Sequence, residues 1–162
     1  MVAVSNELSV AAPPAEVWAL LAAFDRLAQW AEEIDHSCQL TERSEGVGTE
    51  RRVQVRTNVV LERVIVWQPE EALAYEIIGL PNVVSRVVNE WTLTADGDHT
   101  HLTLTAQVEP GQTMPMKKLP MKIVARLLAR QMGSVNQRLL RDLEAAVTRG
   151  AFRSASSETE RS

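Results

Sequence analysis

Glu62 is the residue whose surroundings most favour chemistry. It stands in a run of Val and Ile residues, and two-residue alternation places it on one face with Val60, Val64 and Val66. Burial among apolar side chains raises the pKa of a carboxyl group and makes it a plausible general acid or base. Alternatively, Glu62 forms a structural ion pair with an arginine of the neighbouring strand, such as Arg52. The pattern leaves both interpretations open.

Tyr75 and Asn136 are two further polar side chains in apolar patterns. Tyr75 alternates with residues of the opposite face in a predicted strand, and its hydroxyl either bonds a ligand carbonyl or is satisfied within the core. Asn136 is the polar group nearest the apolar stripe of a long predicted helix. Together with Glu62, these residues are the candidate catalytic groups.

Other chemistries find little support in the sequence. His99 and His101 flank a predicted hairpin turn with Asp96 and Asp98, and alternate residues on such a turn are more simply explained as solvated than as metal ligands. Cys38 lacks a His/Asp arrangement that would activate it as a nucleophile. No phosphate-binding loop, dinucleotide motif or serine nucleophile motif is present. We therefore predict no metal and no cofactor.

The elements that position these residues follow from periodicity. Alternation predicts a strand at 2–10 and about six more between 34 and 109, with turns at Thr57-Asn58 and Asp96-Gly97-Asp98. Two short helices follow the first strand, one starting near Pro14 and one with Asp25 as its N-cap. A long helix over 119–149 carries an apolar stripe, with Gly150 as its C-cap. We expect one domain over 1–150 and a disordered polar tail over 151–162.

This order of elements predicts an α+β fold in which a curved antiparallel sheet of about seven strands wraps around the long C-terminal helix. A helix with its side chains is about 10–12 Å wide. Seven strands spaced by about 4.8 Å make a sheet about 34 Å wide. One helix cannot cover that width, so an elongated apolar cavity is expected between the two.

Composition and charge narrow the class of protein. The chain has 162 residues, 45% hydrophobic and 23% charged, with a net charge of -4, which argues against a general nucleic-acid binder. A single cysteine, no signal peptide and no membrane-length apolar run predict a cytoplasmic protein. Residues 1–114 carry 7 basic and 17 acidic residues, whereas 115–149 carry 8 and 2. This contrast reflects either intramolecular complementarity or a basic face for an anionic partner.

Several stretches resemble the START-like, or SRPBCC, superfamily and its helix-grip fold. The resemblance starts with LSVAAPPAEVW at 8–18, followed by Phe24-Asp25 and Trp30. It continues with GVGTERR at 46–52, LERV at 61–64 and LAYEI at 73–77, and spans residues 3 to 149. The polyketide cyclase/dehydrase group within the superfamily is the most similar. Because folds host many functions, the resemblance indicates the fold more specifically than the activity.

The resemblance implies roles for particular residues. It places Glu62 at the polar end of a ligand, Tyr75 and Ile77 on the cavity wall, and the helical residues Leu128, Met132 and Asn136 facing the ligand. Asn89 and Trp91 are two residues apart on the next strand and therefore share a face. That face either belongs to the cavity wall or is the outer one. The full set of expected ligand-binding residues is Val53, Val55, Val60, Glu62, Val64, Tyr75, Ile77, Asn89, Trp91, Leu104, Leu128, Met132 and Asn136.

Three functions are compatible with these observations. The first is binding of a small, largely hydrophobic molecule, such as a lipid, a polyketide or an aromatic compound. The second is a cyclase or dehydratase acting on a poly-β-carbonyl substrate. The third is a lipid carrier or regulatory module that contacts a membrane or protein through the segment from Met114 to Arg130, in which Lys117, Lys118 and Lys122 oppose the helix dipole.

Overall fold

The computed structural model describes residues 1–79, 84–111 and 121–159, excluding the side chains of 110, 121–125, 127–129 and 151–159. Its strands are β1 (Val2–Val10), β2 (His36–Gln39), β3 (Glu50–Val55), β4 (Asn58–Gln68), β5 (Ala72–Ile78), β6 (Val84–Asp96) and β7 (His99–Pro110). Helix α1 (Pro14–Ala22) and a 3-10 helix (Phe24–Gln29) follow β1, and α2 (Met121–Thr159) follows β7.

The seven strands form one antiparallel sheet in the order β1-β7-β6-β5-β4-β3-β2. This order brings the first strand beside the last and leaves β1 and β2 at the edges. The predicted α+β helix-grip architecture is confirmed: seven strands, two short helices after the first strand and a long C-terminal helix.

The two short helices begin where local chemistry allows them to. Pro14 occupies the first turn of α1, where its missing N–H is not needed, and Glu16 lies near the positive end of the helix dipole. The prediction of Asp25 as the second N-cap is wrong. The 3-10 helix starts at Phe24 with Ala23 as its N-cap, two residues before the predicted cap, and no side chain caps it.

The turn between β3 and β4 also differs by one residue from the prediction. Val55 pairs with Asn58, so the turn residues are Arg56 and Thr57, not Thr57 and Asn58. Arg56 adopts a positive φ of 55° there, and its N–H donates to a carboxylate oxygen of Asp35. With the turn at Arg56-Thr57, Arg51 lies directly opposite Glu62, whereas a turn one residue later would place Val53 there.

A β-bulge in β4 changes which residues face inward. Val64 pairs with Tyr75 and Val66 pairs with Ala74, so Ile65 has no partner in β5. Beyond the bulge, Trp67 packs against the core. The alternation that grouped Val66 with Glu62 therefore ends at Val64, because the extra residue exchanges the two faces.

Helix α2 lies over one side of the sheet. Its backbone runs close to β1, β7 and α1, and in the described part of the chain it makes no comparable approach to β2–β6. The approach to β1 requires Gly133, since a Cβ at that position would lie 2.9 Å from Cγ1 of Val4. The described part of α2 therefore does not cover the inner face of β3–β5, which the early helices approach instead.

The C-terminal end of α2 differs from the sequence prediction. The helix continues through Gly150 to Thr159, into the segment expected to be a polar tail. A glycine inside a helix costs only about 1 kcal/mol relative to alanine, which does not stop a helix that has no proline near it. With 39 residues, α2 is about 58 Å long at 1.5 Å per residue.

Two polar contacts tie α2 to the loop after the 3-10 helix. Arg138 forms an ion pair with Glu33, and a carboxylate oxygen of Asp142 accepts the Glu32 N–H at 3.0 Å. Arg138 and Asp142 are one helical turn apart, so both face this loop. The loop that carries Trp30 is thereby attached to the long helix.

Candidate functional site

The inner face of the sheet carries the candidate residues in three neighbouring rows. The strand register defines these rows across the sheet, since residues that pair directly share a face. They are Arg51, Glu62 and Ile77, then Val64, Tyr75, Asn89 and Ala106, then Leu73, Trp91, Leu104 and Asn6. The polar groups Glu62, Tyr75 and Asn89 thus lie on adjacent strands on one face.

Glu62 is buried in an ion pair with Arg51. Arg51 Nε donates to Glu62 Oε2 at 2.5 Å, and the two residues are only 4% and 6% exposed. Arg51 Nη1 also donates to the carbonyl oxygen of Phe24 at 2.6 Å. The expected partner Arg52 is wrong: it pairs with Leu61, lies on the other face and bonds Gln54, because the turn at Arg56-Thr57 sets Arg51 opposite Glu62.

The Arg51 guanidinium also lies between two aromatic rings. Its Cζ is 3.8 Å from the centre of the Phe24 ring and 4.9 Å from that of Tyr75. The Phe24 and Tyr75 rings meet edge to face at 5.5 Å. Since aromatic faces attract cations, both rings stabilise the Arg51 charge in addition to the ion pair with Glu62. Of the two interpretations that the sequence left open for Glu62, the structure therefore shows the ion pair with an arginine of the neighbouring strand.

Tyr75 is a buried phenol that keeps its proton. Burial raises the pKa of Tyr75 to about 12, and the charge of Glu62 acts in the same direction. The Arg51 charge and hydrogen bonding from Trp91 and Asn89 oppose this shift without cancelling it. At neutral pH the hydroxyl keeps its proton and can donate it in a hydrogen bond, while its oxygen accepts from neighbouring donors.

A small cavity lies beside Tyr75, between the early helices and the inner face of β5 and β6. Its volume for a water-sized sphere is about 10 Å³. Its walls are formed by Leu20, Leu21, Ala23, Leu27, Trp30, Arg51, Leu73, Tyr75 and Trp91. Trp30 lies edge to face with Trp91 at 6.5 Å, so the loop that carries Trp30 forms one side of this cavity.

Several buried polar atoms of the described residues have no hydrogen-bond partner. They are Asn6 Oδ1, Trp30 Nε1, Thr49 Oγ1, Asn89 Oδ1 and Asn136 Nδ2. A buried polar atom without a partner costs about 1–3 kcal/mol. Asn89 is on the inner face of the sheet and Asn136 is 1% exposed on α2, so unpaired amide atoms occur on both elements that enclose the interior.

The expected ligand-binding residues divide by burial. Eight are buried: Val53, Glu62, Val64, Tyr75, Asn89, Trp91, Leu104 and Asn136. Val55, Val60, Ile77 and Met132 are half-buried, and the side chain of Leu128 lies outside the described residues. Asn89 and Trp91 belong to the inner face, which removes the alternative that their face is the outer one.

The three candidate catalytic residues are only partly brought together. Glu62 and Tyr75 both contact Arg51. Asn136 lies on α2, and in the described chain no hydrogen bond joins it to either of them. Glu62 and Tyr75 therefore form one polar centre, and Asn136 is a separate group.

Sequence reasoning missed Arg51 and Trp30 as functional candidates. Arg51 becomes the partner of Glu62 once the turn is placed at Arg56-Thr57, so the register was the available signal. Trp30 was noted only as part of the family resemblance. Nothing in a sequence shows that an indole N–H is left without an acceptor.

Metal ligands and membrane spans are absent from the part of the chain that the structure describes. No group of three or more His, Cys, Asp or Glu side chains converges among residues 1–79, 84–111 and 121–159. His101 lies 3.6 Å from the carboxylate of Glu7 on an exposed face. No described helix is both long and apolar enough to cross a membrane.

The curved seven-stranded sheet and the long C-terminal helix define a protein of the helix-grip fold. The chain belongs to the family described as polyketide cyclase / dehydrase and lipid transport, whose model matches residues 1–148. No curated protein matches the chain in sequence.

Solved structures of the same fold include enzymes and a START protein. The Zhui aromatase/cyclase from Streptomyces sp. R1128 is 22% identical with a TM-score of 0.74, covering 91% of this chain and 94% of its own. The di-domain ARO/CYC StfQ of the steffimycin pathway is 14% identical with a TM-score of 0.77, covering 93% of this chain and 52% of its own. A START superfamily protein from Mycobacterium smegmatis is 18% identical with a TM-score of 0.70, covering 91% and 97%.

Proposed function

We propose that the protein binds a small, largely hydrophobic molecule between the inner face of the sheet and α2. The observation that carries this proposal is the pair of unpaired amide atoms in the interior, Asn89 Oδ1 on the sheet and Asn136 Nδ2 on the helix. Both side chains are buried among apolar residues, where an unmade hydrogen bond is costly. A mostly apolar ligand with a few polar groups would satisfy both environments.

The position of α2 leaves an apolar wall for such a ligand. The helix runs close to β1 and β7, while Val55, Val60 and Ile77 on β3–β5 stay half-buried. The enclosed space beside Tyr75 holds no more than one water, so the body of a ligand has to lie along this half-covered wall. The polar centre of Glu62, Arg51 and Tyr75 is adjacent to it.

The relatives support the class of ligand. The family description names polyketide cyclases, dehydrases and lipid transport, and two of the similar structures are aromatase/cyclases. Polyketides, aromatic compounds and lipids share an extended apolar body with oxygen-containing groups. We take the cytoplasm as the compartment in which the ligand is met, which cell fractionation tests.

Two adjacent valines provide the test. Val60 is half-buried toward the core, and its neighbour Val59 is 47% exposed. With Nile red as the probe, Val60→Trp is expected to weaken binding at least several-fold because it fills the wall, and Val59→Trp is expected to bind normally. Native mass spectrometry of freshly purified protein then identifies any retained molecule. Equal binding by both variants would contradict the proposed location.

An enzymatic role is favoured by one observation, the contact of the Tyr75 ring with the Arg51–Glu62 pair. A protonated phenol beside a guanidinium can orient carbonyl groups of a poly-β-carbonyl substrate. Turnover that is lost in Tyr75→Phe while binding is kept would establish a cyclase or dehydratase. If the wild-type protein binds the substrate but does not turn it over, the enzymatic role is excluded and the binding role remains.

A carrier role depends on residues that the structure does not describe. Residues 114–120 and the Lys122 side chain lie outside the described residues. The family description includes lipid transport, and the segment 115–149 is basic. Ligand release onto anionic vesicles that falls in a Lys117/Lys118/Lys122→Ala variant would favour this role over simple binding.

A further inference from the structure

The cavity beside Tyr75 is lined by hydrogen-bond donors. Its polar side chains are Trp30, Arg51, Tyr75 and Trp91, and its other walls are apolar. Indole and guanidinium groups donate and do not accept, and the Tyr75 hydroxyl keeps its proton at neutral pH. The carboxylate of Glu62 is not part of the lining. The cavity therefore presents its polar side chains almost entirely as donors.

Trp30 supplies one donor of this lining that has no partner among the described residues. Arg51 donates to Glu62 and Phe24, and Trp91 interacts with the Tyr75 hydroxyl. Trp30 is 92% buried (8% exposed), and its Nε1 has no acceptor among the described residues. An unsatisfied indole N–H at a cavity indicates that the native occupant contributes an acceptor.

The size of the cavity restricts that acceptor to a single atom. A volume of about 10 Å³ is at the lower limit for one water molecule. We propose that this cavity is a subsite for one carbonyl oxygen of the bound ligand, which takes the place of a water molecule and accepts a hydrogen bond from the Trp30 Nε1–H beside Arg51 and Tyr75. The proposal rests on the hydrophobic-ligand function above and specifies the polar group that the ligand must carry.

Other polar groups fit the subsite less well. An ammonium group would meet the Arg51 charge, and a carboxylate would bring a second oxygen that the volume does not hold. A hydroxyl fills the space, but its hydrogen finds few acceptors among donor side chains. A carbonyl oxygen accepts two hydrogen bonds and brings no hydrogen, so it matches both the volume and the chemistry.

A matched ligand pair tests the carbonyl requirement. 1-Tetralone and tetralin share a bicyclic body and differ in one carbonyl group. We expect the ratio of their dissociation constants, tetralin over tetralone, to fall by about 2- to 10-fold in Trp30→Phe, which is the range of one hydrogen bond. Trp18→Phe is the control, because Trp18 meets Trp67 edge to face and does not line the cavity.

Nuclear magnetic resonance of the wild-type protein gives a second readout that needs no variant. The four tryptophans give four indole N–H signals. The assigned Trp30 signal should move downfield with 1-tetralone and not with tetralin. If both compounds bind and the Trp30 signal and the ratio are unchanged, the subsite is wrong and the binding function stands. If neither compound binds, the binding function fails and the subsite with it.

Discussion

Removing the Glu62 carboxylate is expected to destabilise the fold far more than a surface charge would. Arg51 is 4% exposed and would keep its bond to the Phe24 carbonyl and its aromatic neighbours while losing Glu62, its counter-charge among the described residues. Breaking a buried pair from one side costs about 3–5 kcal/mol, so we expect Glu62→Leu to lower the free energy of unfolding by that amount.

Two comparisons isolate the cause. The double variant Arg51→Met/Glu62→Leu removes both charges and should recover most of the loss, because no uncompensated ion remains. Glu50 and Arg63 form the control pair at the next register position, at 2.7 Å, with side chains 25% and 46% exposed. Glu50→Leu should cost at most about 1 kcal/mol, since solvent screens this pair.

Urea unfolding followed by circular dichroism measures all four proteins under the same conditions. The slope of the free energy against urea should stay constant, so that midpoints report stability. The reasoning would be refuted if Glu62→Leu lowered the free energy of unfolding no more than Glu50→Leu does. It would also be refuted if the double variant were less stable than Glu62→Leu. The result also bears on enzymology: lost activity in a Glu62 variant counts as chemical only after its folded fraction is measured.

Further predictions concern titration, helix packing and the loop contact. Tyr75 is the only tyrosine, and its folded pKa of about 12 lies above the ordinary value of 10.0. Its contribution to stability is therefore complete below pH 10 and lost between pH 10 and 12, by about 3 kcal/mol. Urea titrations should show this decline in the difference between the unfolding free energies of the wild-type protein and Tyr75→Phe. A difference that does not change with pH would contradict it. Gly133→Ala places a methyl group 2.9 Å from Val4 and should lower the thermal midpoint, whereas Gly150→Ala meets nothing within 4 Å and should raise it, because alanine is the better helix former. The opposite order in calorimetry would exclude the close approach. Arg138→Ala removes an exposed ion pair and should change the unfolding free energy by less than about 1 kcal/mol; a loss above 2 kcal/mol by urea titration would contradict its surface character.

The fold was accessible from the sequence because its determinants are local. Alternation over nine residues identifies β1, and an Asp-Gly-Asp segment identifies the β6–β7 hairpin, where Gly97 adopts a φ of 59°. Helix α2 follows from a stripe of apolar residues. Each of these features depends on near neighbours in the chain.

The details of the site depend on longer-range geometry. The turn at Arg56-Thr57 pairs Glu62 with Arg51, whereas a turn at Thr57-Asn58 would pair it with Val53, and the local pattern alone does not fix this register. The end of α2 was misjudged because a glycine costs too little to stop a helix. The unpaired N–H of Trp30 arises from the packing of a loop against β6, which no periodicity encodes.

The unpaired Ile65 has a consequence for comparing this chain with its distant relatives. A homologue that lacks the extra residue would carry its inward side chains one position earlier from that point onward. If the two sequences are aligned without a gap, Trp67 of this chain is matched with a residue of the homologue's outer face. Trp67 itself packs on Trp18 on the inner side. At sequence identities of 14–22%, a misalignment of one residue would make core positions that the two proteins share look unrelated.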